Sequence, residues 1–110
     1  MKKLGFLLVT VLVLTLLAGC KIDLPDGPFS VVYFDNGSTS GYPHIDRNEY
    51  RSGEEATVLD KNTLIKTGYE FQNWNTDKDG KGESYSAGDK ITIGHSTVFL
   101  YAIWKEIPQE

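Results

Sequence analysis

The chain is poor in the residues that most chemistry requires. Of 110 residues, one is Cys and one is Met. A lone Cys excludes an intramolecular disulfide framework, which needs at least two. The two histidines, His44 and His95, stand 51 positions apart with no second ligand at metal spacing, so turn or surface roles fit them better than metal or general-base work. There is no Gly-x-Ser-x-Gly elbow and no Gly-rich phosphate loop between a strand and a helix. No apolar run reaches the ~20 residues a helix needs to cross a bilayer core. The longest, Leu4–Leu17, has 14. These absences leave no basis for a catalytic constellation, and the expectation is a non-enzyme with no cofactor and no metal.

The overall composition, with a formal charge of −4, averages two unlike segments. Residues 1–19 hold 13 of the 44 hydrophobic residues and only two charges, Lys2 and Lys3. Residues 20–110 carry nine basic and fifteen acidic side chains, a formal charge of −6. That acidic balance opposes a nucleic-acid surface, and a segment of this length makes one domain with one modest core.

A positive start, a short apolar stretch and a small-residue end read as an export signal. The stretch closes on Leu17-Ala18-Gly19-Cys20, which resembles the bacterial lipoprotein signal. The resemblance implies cleavage between Gly19 and Cys20 and a lipid on Cys20, with acyl chains such as palmitate holding the protein to a membrane. Two or more acyl chains anchor stably where one does not. The expected organisation is a signal peptide over 1–19, a lipidated Cys and tether over 20–29, a domain over 30–104 and a tail over 105–110. Pro25 and Pro28 flank Asp26-Gly27, a turn-prone link. Its nine residues after Cys20 span at most about 30 Å, so the protein is expected to be exported and held close to its membrane, in the cell envelope or at the cell surface.

The remainder reads as mainly β. Ser30–Asp35, Ala56–Leu59, Tyr69–Asn75, Lys90–Ile93 and Thr97–Trp104 are short runs rich in β-branched and aromatic residues. Asn36-Gly37 is a turn signal. Val98, Leu100, Ala102 and Trp104 share one face of the last strand and Phe99, Tyr101 and Ile103 the other; both are apolar, which predicts a central strand covered on both sides. One short helix is predicted over Asn62–Thr67, burying Leu64 and Ile65. Phe71 to Trp74 is an odd step, so a bulge near Gln72-Asn73 is expected to bring both rings to one side, with Asn73 in a left-handed conformation.

Several linked motifs then match a known family. Lys66–Thr76 (KTGYEFQNWNT), Asp79-Gly80-Lys81-Gly82, Tyr85–Asp89 and Leu100-Tyr101-Ala102-Ile103-Trp104 follow one another in the order of the Listeria–Bacteroides repeat, also called the internalin B-repeat. Val31–Gly37 and Gly53–Leu59 resemble its opening segments. The resemblance covers Val31 to Trp104 and departs at Asn73, where the family usually has Gly. It implies a β-grasp, ubiquitin-like sheet and a place in envelope binding or adhesion modules. It makes Gly68, Tyr69, Phe71, Trp74, Gly88, Leu100, Tyr101 and Trp104 structural, Gly for turns and aromatics for core.

The remaining candidates are weighed against plainer roles. Most of Tyr69, Phe71, Trp74, Tyr101 and Trp104 are expected in the core of so small a domain. Phe29, Tyr42, Tyr50 and Tyr85 lie nearer loops, and the three tyrosines form the expected contact surface. Asn75–Gly80 matches the front half of a calcium loop, but Ser86 stands where a bidentate Glu is required, so a solvated turn is expected. The functional expectation is a lipid-anchored envelope module that binds an unknown protein or glycan. The alternative is an assembly subunit that docks onto a larger envelope complex through a sheet edge.

Overall fold

A computed structural model describes residues 24–109. Residues 1–23, and with them the signal segment, Gly19 and Cys20, lie outside the described residues. Six strands occur in the order β1 (Val31–Phe34), β2 (Glu55–Thr57), β3 (Tyr69–Asn75), β4 (Ser84–Tyr85), β5 (Lys90–Thr92) and β6 (Val98–Glu106). They form a four-stranded sheet of order β1-β6-β3-β4 and a two-stranded ribbon of β2 and β5. β1 pairs parallel to β6, with Val31 opposite Val98 and Phe34 opposite Tyr101. β3 pairs antiparallel to β6 and to β4. The mainly β expectation holds, as does the central place of the last strand.

The core lies between one face of the large sheet and the ribbon. Val31, Tyr33, Trp74, Leu100 and Ala102 come from the sheet; Ala56 and Ile91 come from the ribbon, with Val58 and Ile93 just past its strands. Leu64, Phe29 and Tyr50 complete it from the loops. Alternation explains the strand contributions, since every second side chain of a strand points to the same face. The register between β3 and β6 shifts between Phe71 and Asn73. This is the expected bulge, and it leaves Phe71 edge-on to Trp74 with ring centroids 5.1 Å apart.

Several expectations are corrected. No helix occurs among the described residues. Over Asn62–Thr67 the chain makes one tight turn, with Asn62 at φ 55° and Leu64 N–H bonded to the Lys61 carbonyl at 3.1 Å. Ile65 then pairs with Ser40, which commits its N–H and C=O to a β-bridge and removes them from any helix. Leu64 is buried as expected, but Ile65 is 55% exposed. Left-handed residues among the described non-glycines are Asn36 and Asn62, not Asn73. The outer face of β6 is only partly covered: Phe99 is exposed, and Tyr101 and Ile103 are half-buried. Strand β4 is too short to have a sequence period of its own. Lys105 and Glu106 belong to β6 rather than to a tail.

The described part of the tether is built into the fold. Ser52 N–H bonds the Asp26 carbonyl at 3.0 Å, and Phe29 and Tyr50 exchange two main-chain bonds of 2.7 and 2.8 Å. His95 Nδ1 lies 3.0 Å from the Pro25 carbonyl, which can only accept, so this ring nitrogen carries the proton.

Candidate functional site

The three tyrosines expected to form a contact surface part company. Tyr42 is 78% exposed. Tyr50 is a correction: it is a core residue, drawn inward by its bridge to Phe29. Its hydroxyl donates to Asp46 at 2.6 Å. Burial first, then the Asp46 carboxylate that accepts this proton, pushes its pKa upward. Phe29 is buried with it. Tyr85 is half-buried opposite Trp74, and its hydroxyl donates to Glu83 at 2.8 Å. That bond is the main reason its pKa is raised.

The motif residues take structural positions. Trp74 and Leu100 are fully buried, and Phe71 and Trp104 pack against the core. Trp104 Nε1 donates to the Asp35 carbonyl at 3.0 Å. Gly68 and Gly88 have φ of 83° and 92°, the left-handed region that glycine occupies without penalty. Tyr69 sits under the Lys66 ammonium, 4.3 Å from its ring centroid. Tyr101 departs from the core expectation and stacks on Phe34 on the outer face, centroids 4.9 Å apart at 15°.

The loop that resembles half a calcium site spends its oxygens on its own backbone. Asn75 Oδ1 accepts from Asp77 N–H at 2.8 Å and Gly82 N–H at 2.9 Å. Asp77 Oδ2 accepts from Asp79 N–H and Lys81 N–H. Asn75 Nδ2 donates to the Gly82 carbonyl and Ser84 Oγ, so this buried amide knits the loop shut. His44 Nε2 lies 2.8 Å from Asp60 Oδ1. The Asp60 carboxyl is held below its ordinary range, first by Asn62 N–H and then by His44.

Several surfaces remain open, among them a depression of about 280 Å³ lined by Asn36, Lys78, Ile103 and Trp104 and the three that follow. A depression of about 540 Å³ is lined by Ile45, Asp46, Tyr50, Glu55, Thr57 and Leu59 among others. A groove of about 270 Å³ runs between the outer edge of β1 and His44-Ile45-Asp46. The Ser30 carbonyl accepts from Val98 N–H, so parallel alternation turns the main-chain groups of Val31 and Tyr33 away from β6, toward this groove. The third surface is the outer sheet face of Phe34, Phe99 and Tyr101. Sequence reasoning missed it because it treated both faces of β6 as core.

Two proteins of Evansella cellulosilytica resemble this chain. One, provisionally named a Gly-rich membrane protein, is 41% identical over 56% of this chain. The other, provisionally named a membrane protein, is 39% identical over 56% of it. The chain spans about 8% and 11% of their lengths. No solved structure matches the chain. The Listeria-Bacteroides repeat domain matches residues 29–103, from the buried Phe29 to the last strand, and the chain belongs to that family.

Proposed function

We propose that this is a lipid-anchored protein of the bacterial cell envelope whose internalin B-repeat-like domain is a non-catalytic binding or adhesion module for protein or glycan. The observation that carries the reading is Leu17-Ala18-Gly19-Cys20 at the end of a 14-residue apolar run, directly before a repeat domain. A leader too short to span ends on the one residue that can take a thioether lipid. The names of the two relatives point to membranes as well. The parallel pairing of the first and last described strands inside the sheet supports a β-grasp reading, with a turn and a β-bridge over Asn62–Thr67 in place of the expected helix.

Feeding cells a labelled fatty acid tests the anchor. Label on the wild type and none on Cys20→Ala, which should leave the membrane fraction, is the expected result. A Cys20→Ala protein that keeps its mobility and its membrane association would sink the reading. For binding, crosslinking on intact cells should capture a reproducible partner, and Tyr42→Ala should weaken capture without changing the melting temperature.

The outward main chain of Val31 and Tyr33 supports a second reading, an assembly subunit that accepts an extended strand at the β1 edge. Protease added to intact cells separates the two: removal of the domain fits adhesion, and protection until the envelope is opened fits internal assembly.

A further inference from the structure

We propose that the outer face formed by Phe34, Phe99 and Tyr101 rests on the surface of the bilayer that holds Cys20, so that the domain has a defined orientation on its membrane. The inference depends on the lipid-anchor reading above and adds to it a contact surface.

The first support is the length of chain available. The sequence suggests nine tether residues after Cys20, but the fold takes up most of them. Pro25, Asp26 and Phe29 are bonded to His95, Ser52 and Tyr50. Only four residues, 21–24, separate Cys20 from the start of that clamped segment at Pro25, about 14 Å of chain when fully extended. The part of the domain where the chain enters is thus held against the bilayer.

The second support is the place of two exposed aromatic side chains, Phe34 and Phe99. β1 and β6 run parallel and start together at Val31 and Val98, where Ser30 N–H also bonds Thr97 Oγ1 at 3.2 Å. Phe99 lies opposite Val32 at this entry end, four residues after the His95 that bonds Pro25. Phe34 packs on both Phe99 and Tyr101, centroids 5.9 and 4.9 Å away. Further along β6 the same face is partly covered. Gly80 sits over Ile103, and Asn36 Nδ2 bonds both the Lys78 and the Ala102 carbonyls, holding the loop onto the sheet. The open aromatic patch thus runs from the entry end, at Phe99, to Phe34 and Tyr101 at the end of β1. Leu24, also exposed, enters at the Phe99 end.

The third support is charge. The mature chain is strongly acidic, which disfavours contact with anionic lipid. Yet β1 over its whole length, and β6 from Val98 to Trp104, carry no charged residue. Aromatic side chains favour the membrane interface, and a short tether raises the effective concentration of the surface enough for a weak contact to persist.

The described fold lies wholly within Leu24–Gln109, so the chain from Cys20 onward carries all of it. Coupling this chain through its Cys20 thiol to maleimide lipid makes the test independent of whether cells lipidate Cys20. The vesicles contain phosphatidylethanolamine and phosphatidylglycerol, with brominated acyl chains as quenchers. Phe99→Trp and, as a second reporter, Phe34→Trp should show a blue shift and loss of emission on these vesicles. Ile107→Trp, just past the other end of β6, should show neither, and the native Trp74 and Trp104 supply the common background. Melting curves of the uncoupled proteins establish that each variant folds. Equal quenching at both ends of β6, or none at Phe99 and Phe34, overturns the proposal. In the latter case the face remains open to a protein or glycan ligand.

Discussion

Trp74 and Tyr33 meet edge-on, ring centroids 4.8 Å apart, and between them they hold both main-chain groups of Leu59. Trp74 Nε1 donates to the Leu59 carbonyl at 2.8 Å, and Leu59 N–H donates to the Tyr33 hydroxyl at 2.9 Å. Two core aromatics from different strands thus fasten the segment after β2 to the large sheet.

This arrangement predicts coupled mutational effects. Trp74→Phe leaves the Leu59 carbonyl unpaired and a small void, and should cost about 2–3 kcal/mol. Tyr33→Phe keeps the ring but orphans Leu59 N–H, and should cost about 1 kcal/mol. In urea melts the double variant should lose less than the sum, because both bonds restrain one residue. Strict additivity would show that Leu59 is held by something else.

Tyr42 and Tyr50 should separate sharply. Tyr50→Ala removes a buried ring and leaves Asp46 Oδ2 without its donor, and should cost about 3–5 kcal/mol. Tyr42→Ala should stay within about 0.5 kcal/mol of wild type. Thermal melts of the two variants decide this, and equal losses would contradict the burial of Tyr50.

Two glycines offer a second contrast. Gly68 has φ 83° with open space around a would-be Cβ, so Gly68→Ala should cost about 1–2 kcal/mol from backbone strain alone. Gly41 has φ 85°, and a Cβ there would collide with the main chain of Thr63 and Leu64. Gly41→Ala should cost about 3 kcal/mol or more, strain and overpacking together. Denaturant midpoints measured on both variants give the comparison.

The folded domain should weaken in alkali. Tyr33, Tyr50 and Tyr85 all have pKa values raised above 10.0: Tyr33 and Tyr50 chiefly by burial, Tyr85 chiefly by its bond to Glu83. A raised folded value means the fold holds the phenolic proton more tightly than the unfolded chain. The resulting stability is complete below pH 10 and is lost as pH climbs through the folded values. Tyr50→Phe loses the Asp46 bond at neutral pH but also this sensitivity. Its stability deficit against wild type should therefore shrink as pH rises above 10, and a gap that stays constant in pH-resolved melts would overturn the assignment.

The sequence by itself determined the parts whose signal is local. Alternation and β-branching marked five of the six strands, and the odd Phe71-to-Trp74 step marked the bulge. The repeat motifs identified the family. Leu17-Ala18-Gly19-Cys20 is likewise a wholly local pattern, and it carries the proposed anchor. Only the tertiary structure decided what depends on distant pairing. Asn62–Thr67 has the composition of a short helix, yet the bridge from Ile65 to Ser40 takes its hydrogen bonds. Tyr50 sits in a polar stretch, yet pairing with Phe29 carries it into the core. The two faces of β6 are equally apolar in sequence, yet the ribbon and loops cover one and leave Phe99 and Tyr101 on the other. The tether shows the difference most clearly. Its length can be counted from Cys20, but its reach depends on contacts with Ser52, Tyr50 and His95, residues at least twenty positions away along the chain.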